Sequence, residues 1–317
     1  MSRARRVLLR IGATTLLALG LVLLWAWQPD RPLETLTARW APPPSVFLGV
    51  HGMQVHMRDE GLREDPLPLI LIHGTSASLH TWDGWTVALK DRERVIRMDL
   101  RGFGLTGPAP DGDYRIERYV DDLLALMDQL GIERAVLAGN SLGGQVAWST
   151  AVRAPERVAA LVLVDAAGYP FVPSSIPIGF QLARSEWTAP IVRHLLPRAL
   201  VAASIRNTYG QPERVDDALV ERYFELTLRA GNREALIQRF RQNVHGAGAE
   251  DIARIRAPTL ILWGGRDRLI PPENAAHFQR DIPGSTLLEF PELGHVPQEE
   301  DPAQTVKAVE AFLASQR

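Results

Sequence analysis

The sequence predicts an α/β fold, a mainly parallel sheet covered by helices and interrupted late by an all-helical insertion. Two observations carry this. From residue 46 onward, short β-branched or leucine-rich runs alternate with helical patterns, and between about Tyr169 and Asp251 that alternation stops. Alternation of this kind builds parallel strands with covering helices. The chain has 317 residues, 46% hydrophobic and 23% charged, which is long enough for one such domain plus an insertion.

The candidate strands are Val46 to Val50, Gln54 to Arg58, Leu69 to Ile72, Val95 to Asp99, Ala135 to Ala138, Ala160 to Val164, Thr259 to Trp263 and Thr286 to Phe290. The first two read as an antiparallel hairpin turned at His51-Gly52, and the later six, nearly continuous in apolar residues, as buried strands. Helical patterns fall around Trp82 to Lys90, Ile116 to Leu130, Leu142 to Arg153, Pro272 to Arg280 and Pro302 to Ala314. In the insertion, Glu213 to Arg229 carries Val215, Leu219, Phe224, Leu226 and Leu228 as an apolar stripe among charges. An insertion at this place would sit over the carboxyl ends of the strands, where such sheets bind ligands, and so reads as a lid.

The first thirty residues are a separate element. Arg3, Arg5, Arg6 and Arg10 precede Ile11 to Trp27, a run without charge that would reach about 25 Å as a helix, with Trp25 and Trp27 where an interfacial belt belongs. The expectation is a single-pass membrane anchor, with the arginines cytoplasmic and the main domain extracytoplasmic, periplasmic in a Gram-negative cell. The run from Arg5 to Arg10 also resembles a twin-arginine export signal. Pro29, Pro32 and Pro42 to Pro44 then favour extended chain as a spacer. The resulting division is residues 1–28 as anchor, 29–45 as linker, 46–168 and 251–317 as core, and 169–250 as cap.

Composition excludes several classes. A formal net charge of -2 offers no field for nucleic acid. With no cysteine there is no disulfide, thiolate nucleophile or Cys-based metal site. His51 and His56 lack a clear third ligand, so no metal is expected. Gly102 to Gly107 matches Gly-x-Gly-x-x-Gly, but Pro108, Pro110 and Asp111-Gly112 stand where a phosphate-binding helix would begin, and no dinucleotide site follows.

The chemistry concentrates at four strand ends. Gly139-Asn140-Ser141-Leu142-Gly143 runs from strand into helix, the context that turns a bare Gly-x-Ser-x-Gly into a nucleophile elbow with Ser141 exposed at its tip. A serine hydroxyl needs a base, and of eight histidines His295, in Leu293 to Pro297 after the last strand, is best placed. His277 reads as helix surface, and His194 and His245 belong to the insertion. Asp267, after the strand Thr259 to Trp263, can orient the imidazole; Asp165, after Leu161 to Val164, is its rival. His73-Gly74-Thr75-Ser76 ends another strand, where the Thr75 N-H and the Leu142 N-H could face an oxyanion.

Together these segments resemble the α/β-hydrolase family over roughly residues 46 to 315. His73-Gly74 resembles its oxyanion loop, Asp99 to Gly104 its Asp-x-Arg-Gly-x-Gly turn, Gly139 to Gly144 its elbow, Trp263 to Asp267 its acid loop, and Gly294 to Glu299 its histidine loop. The resemblance implies an eight-stranded sheet, a helical cap between strands six and seven, and no cofactor. A serine nucleophile counts against the dehalogenases and epoxide hydrolases of this fold, which use aspartate. The main expectation is hydrolysis of a carboxylic ester or related small acyl substrate. The elbow also looks like that of carbon-carbon bond hydrolases acting on vinylogous diketones, although those place Trp after the histidine and Val296 stands here. A ligand receptor on the same fold is the reading from outside enzymes, and oligomeric state is not legible.

Overall fold

The structure, a computed structural model, describes residues 3–244 and 246–316. Eight strands form one sheet: β1 (Val46–Val50), β2 (Met53–Gly61), β3 (Leu69–Ile72), β4 (Arg94–Met98), β5 (Ala135–Asn140), β6 (Val158–Val164), β7 (Thr259–Gly264) and β8 (Thr286–Phe290), in the order β1-β2-β4-β3-β5-β6-β7-β8. β1 and β2 pair antiparallel in the register Val50↔Met53, and the turn between them takes His51 to φ 45° and Gly52 to φ 79°, the twist that suits a two-residue hairpin. β2 is also antiparallel to β4, and the strands from β3 to β8 run parallel. β3, β5 and β7 are buried along their whole length. β8 departs from the expectation of a buried strand: it is the edge of the sheet, and only Phe290 in it is buried.

Thirteen α-helical elements are described. Two precede the sheet, α1 (Arg3–Ala26) and α2 (Leu33–Trp40). α3 (Asp83–Leu89), α4 (Ile116–Gln129) and α5 (Leu142–Arg153) follow, and α6 (Ile178–Arg184), α7 (Ala189–Val192), α8 (Arg198–Thr208), α9 (Asp217–Thr227) and α10 (Asn232–Gln242) fill the insertion. α11 (Glu273–Asp281), α12 (Pro297–Glu300) and α13 (Pro302–Ser315) close the chain. Trp82, Trp85 and Leu89 at α3 and Val306, Val309 and Leu313 of α13 cover one face of the sheet. Leu123 and Leu126 of α4, Val146 of α5 and Phe278 of α11 cover the other. A helix on each face is what permits near-continuous apolar strands. The start of α13 is fixed locally: Asp301 accepts the Gln304 N-H at 3.0 Å and Pro302 holds the first helical position.

The cap helices have their own core, in which Leu196, Val201, Ile205, Tyr209, Phe224 and Leu228 pack together with Val296 of the core domain. His245, assigned to the insertion from sequence, lies outside the described residues. Through Val296 the inserted helices are tied to the loop after β8.

The N-terminal segment corrects two expectations. Among the described residues no helix is long and apolar enough to cross a membrane. The charge-free part of α1, Ile11 to Ala26, is about 24 Å long at 1.5 Å per residue, against roughly 30 Å of hydrocarbon. The predicted transmembrane signal-anchor, the membrane as partner and the extracytoplasmic address that followed from them are withdrawn on that ground. Residues 29–45 are also more than an extended spacer. Trp27 bridges Leu195, Arg31 bridges Arg229, and Leu33–Trp40 is helical. Arg31, Arg39 and Trp40 all donate to the carboxylate of Glu225, at 2.5, 3.0 and 2.7 Å, while Arg233 holds Asp30. The prolines prevent one long helix, yet charge pairs and strand-like bridges strap the segment across the cap.

Candidate active site

The elbow between β5 and α5 is built by what cannot fit there. A Cβ on Gly139 would lie 2.1 Å from the Gly143 carbonyl oxygen, and one on Gly143 would lie 2.0 Å from that of Ile72. Only glycine lets the helix close so tightly on the strands. Ser141 takes the strain of the turn, with φ 55° and ψ -116°, a conformation residues with a side chain rarely adopt. Its N-H donates to the Val164 carbonyl and its own carbonyl accepts from Gln145 and Ala167, so the strained residue is held from both neighbours.

His295 sits on the loop between β8 and α12, 4% exposed. Its Nδ1 lies 2.7 Å from Asp267 Oδ2. The other oxygen of Asp267 accepts the N-H groups of Leu269 at 2.8 Å and Ile270 at 3.0 Å, so the carboxylate can turn in no other direction. A carboxylate accepts only, hence Nδ1 carries the proton and Nε2 is left as a base. Ser141 and His295 line one cavity, together with Gly74, Thr75 and Leu142.

Asp165, the rival acid, is brought into the same cluster without reaching the imidazole as Asp267 does. It is fully buried, at φ 44°, and accepts the Gly264 N-H at 3.0 Å. Burial, and then the charge of Asp267, push its carboxyl well above the usual range. Asp165 is thus the carboxyl of the pair whose burial favours the protonated form. Asp165, Asp267 and His295 form the only group of three possible metal ligands found among the described residues. Within that group the 2.7 Å contact of His295 Nδ1 with Asp267 Oδ2 is a direct hydrogen bond.

The loop after β3 is organised by His73. Its Nδ1 donates to the Gly74 carbonyl at 2.7 Å and its Nε2 accepts the Leu100 N-H at 2.9 Å. Complete burial lowers its pKa, keeping the ring neutral as that pattern requires. Thr75 is half-buried and faces the cavity. Next to it, Asp99 gathers the N-H groups of Leu79 and Leu105 and the ring of His56, whose other nitrogen meets Ser45. His56 is thereby consumed in structure, and His51 pairs with Asp122. No metal pair remains of the two.

Two residues to which sequence reasoning gave no positioning role hold the site together. Glu300 accepts the N-H groups of Gly210, Gln211 and Gly294 at 3.0, 2.7 and 2.8 Å, tying the cap to the histidine loop. Asn140 donates to the carbonyls of His295 at 2.9 Å and Val164 at 3.2 Å, linking elbow, base and β6. A Glu within six residues of a loop histidine was the available signal for the first. Nothing in the spacing marks the second.

With the geometry in place, comparison with known proteins becomes specific. A family model described as alpha/beta hydrolase fold matches residues 68–302. The chain belongs to the α/β-hydrolase family. It is 31% identical over 275 residues to a 2-hydroxy-6-oxo-2,4-heptadienoate hydrolase of Pseudomonas putida, covering 84% of this chain and 94% of that one. Among solved structures, a meta-cleavage product hydrolase of Pseudomonas fluorescens IP01 superposes with TM-score 0.74 at 26% identity, covering 86% of this chain and 98% of its own. A structure described as a membrane phospholipase A, a bacterial virulence factor, gives the same TM-score and identity over 99% of both chains. These relatives support a hydrolase. Carbon-carbon bond hydrolases, held second in the sequence reading, are better represented among them than the ester hydrolysis placed first.

Proposed function

We propose that this α/β-hydrolase is a serine hydrolase in which Ser141 attacks an acyl carbonyl, His295 accepts its proton at Nε2, and Asp267 fixes the tautomer and stabilises the imidazolium. The carbonyl electrons collapse back to expel the leaving group, which takes the proton from His295, and leave an acyl-Ser141. Water deprotonated by the same histidine then releases the acid and the free serine. The N-H groups of Thr75 and Leu142 are the proposed oxyanion donors, each worth about 3 kcal/mol of barrier. The observation that carries the reading is the 2.7 Å Asp267–His295 contact behind a cavity that also exposes Ser141. Fluorophosphonate labelling tests it: the wild type is expected to be labelled and Ser141→Ala to remain unlabelled. Folded wild type that resists the probe would end the claim.

For the bond cleaved, we favour a carboxylic ester. Position 296, where the carbon-carbon hydrolases place Trp, holds a valine packed into the cap core, and Asn140, the residue of elbow likeness, is spent on backbone carbonyls. The phospholipase A match extends over 99% of this chain, against 86% for the meta-cleavage product hydrolase. Cleavage of a vinylogous diketone is the second reading, favoured by the 31% relative. Turnover of 4-nitrophenyl esters without diketone cleavage supports the first; the reverse pattern selects the second.

A further inference from the structure

The cavity that exposes Ser141 and His295 is mostly apolar, yet it is also lined by three arginines, Arg184 of α6 and Arg233 and Arg239 of α10, of which Arg233 is already paired with Asp30. Arg239 is 6% exposed. Among the described residues no carboxylate pairs with it: its guanidinium lies 5.6 Å from the centroid of the Tyr119 ring, and its Nε has no hydrogen-bond partner. Other buried arginines are differently placed, as with Arg101 on Asp122 and Arg222 on Glu299. A guanidinium stays charged in a protein, and burying it without a counter-ion is costly. Burial lowers the pKa of Arg184 and Arg239, and for Arg184 the charge of Arg239 adds to the effect. The field of the pair at this end of the cavity is positive and uncompensated. Arg184, exposed and stacked over Phe240 at 4.6 Å, is, among the described residues, the second unpaired cation lining the same cavity.

We infer that Arg239 and Arg184 form an anion subsite of the catalytic cavity, so that the substrate carries a carboxylate or a phosphate joined by an apolar segment to the carbonyl that Ser141 attacks. The subsite rests on the serine-hydrolase reading for its connection to catalysis, while its binding chemistry stands on the arginines alone. A planar bidentate fork suits either oxyanion, and desolvation inside an apolar wall strengthens the pairing.

The test uses the full chain and three 4-nitrophenyl esters of equal acyl length: hexanoate, adipate monoester with a terminal carboxylate, and 6-phosphonooxyhexanoate. Wild type is expected to favour at least one anionic ester over hexanoate by tenfold or more in kcat/KM, mainly through KM, and the better of the two names the anion. Arg239→Gln should cut that anionic-to-neutral ratio at least tenfold, and Arg239→Lys should restore part of it. Arg184→Gln, at an exposed position that does not depend on repacking, should lower the ratio by a smaller factor. A wild type indifferent to the anion, or a preference that survives Arg239→Gln, overturns the subsite. If no ester turns over, protection of Ser141 from fluorophosphonate by hexyl phosphate or adipate decides it. Protection lost in Arg239→Gln supports the subsite although the ester reading has failed; no protection, or protection that persists, removes it.

Discussion

Asp165 and Asp267 hold two buried carboxyl groups beside one imidazole, with ligand atoms of all three side chains within 4.8 Å of one another, and only Asp267 is hydrogen-bonded to His295. The asymmetry sets different expectations for the same substitution. Asp267→Asn would present an amide to Nδ1, favour the wrong tautomer and lower kcat by about 10³- to 10⁴-fold. Asp165→Asn keeps the oxygen that accepts from Gly264, tolerates the positive φ and can still donate toward Asp267, so kcat should fall less than about tenfold. Steady-state rates of the two variants decide which carboxyl orients the base.

The same pair gives a pH signature. Burial and the charge of Asp267 hold the Asp165 carboxyl above its usual 3.8 in the folded protein, so between the unfolded and the folded value the native state binds the extra proton. Its contribution to stability is present below pH 3.8 and is lost as pH rises toward the raised folded value. Asp165→Asn removes that loss. Its melting temperature relative to wild type should therefore rise as pH increases above 3.8, and a constant difference would show that the Asp165 carboxyl is not raised in the native protein.

Much of this arrangement was legible in the sequence, for identifiable reasons. β3 and β8 begin and end where their apolar runs do, and β1 turns at His51-Gly52 because few residues accept that backbone. Ser141, His295 and Asp267 could be singled out as candidates because each follows a strand, and strand ends share an edge. What failed depends on partners distant in sequence. The strap of residues 27–40 reads as a spacer until Glu225, almost two hundred residues on, is seen to collect Arg31, Arg39 and Trp40. The exposure of β8 follows from its place in the sheet order, which an apolar run cannot disclose. Glu300 and Asn140 likewise act on backbone groups of loops that only the fold brings near.

Glu300 is expected to matter for both stability and rate. It is 5% exposed and is the shared acceptor for three backbone N-H groups on two separate segments. Glu300→Ala would leave those donors buried without partners, at a cost of about 3 kcal/mol or more by chemical denaturation. Since Gly294 adjoins His295, kcat should fall as well, with KM less affected. A rate unchanged at a temperature where the variant is folded would mean that the loop holds its shape without the carboxylate.

Asp99 should contribute to the acid limb of stability. Burial alone would raise its carboxyl, but His56, then His73 and the Leu79 N-H, outweigh that and hold it at about 2. The folded pKa lies below the unfolded 3.8, so the contribution is present above pH 3.8 and lost as pH falls toward 2. Its size is on the order of 2 kcal/mol. Asp99→Asn is expected to destabilise the protein at pH 6 and to flatten the fall in stability between pH 4 and pH 2. A slope equal to that of wild type would place the acid sensitivity elsewhere.

The elbow offers the sharpest steric prediction. Gly143→Ala would drive a methyl group to 2.0 Å from the Ile72 carbonyl oxygen and 2.7 Å from that of His73, both backbone atoms of the sheet and its oxyanion loop. Neither can retreat without moving β3 or the turn at Ser141. The cost should reach about 3 kcal/mol or more, at the upper end of overpacking, with loss of probe labelling at Ser141. Gly112→Ala is the control, since its φ of +63° strains a side chain in open space and should cost only about 1 kcal/mol. Comparable melting temperatures for the two variants would mean that the close approach of α5 to β3 is not what the elbow requires.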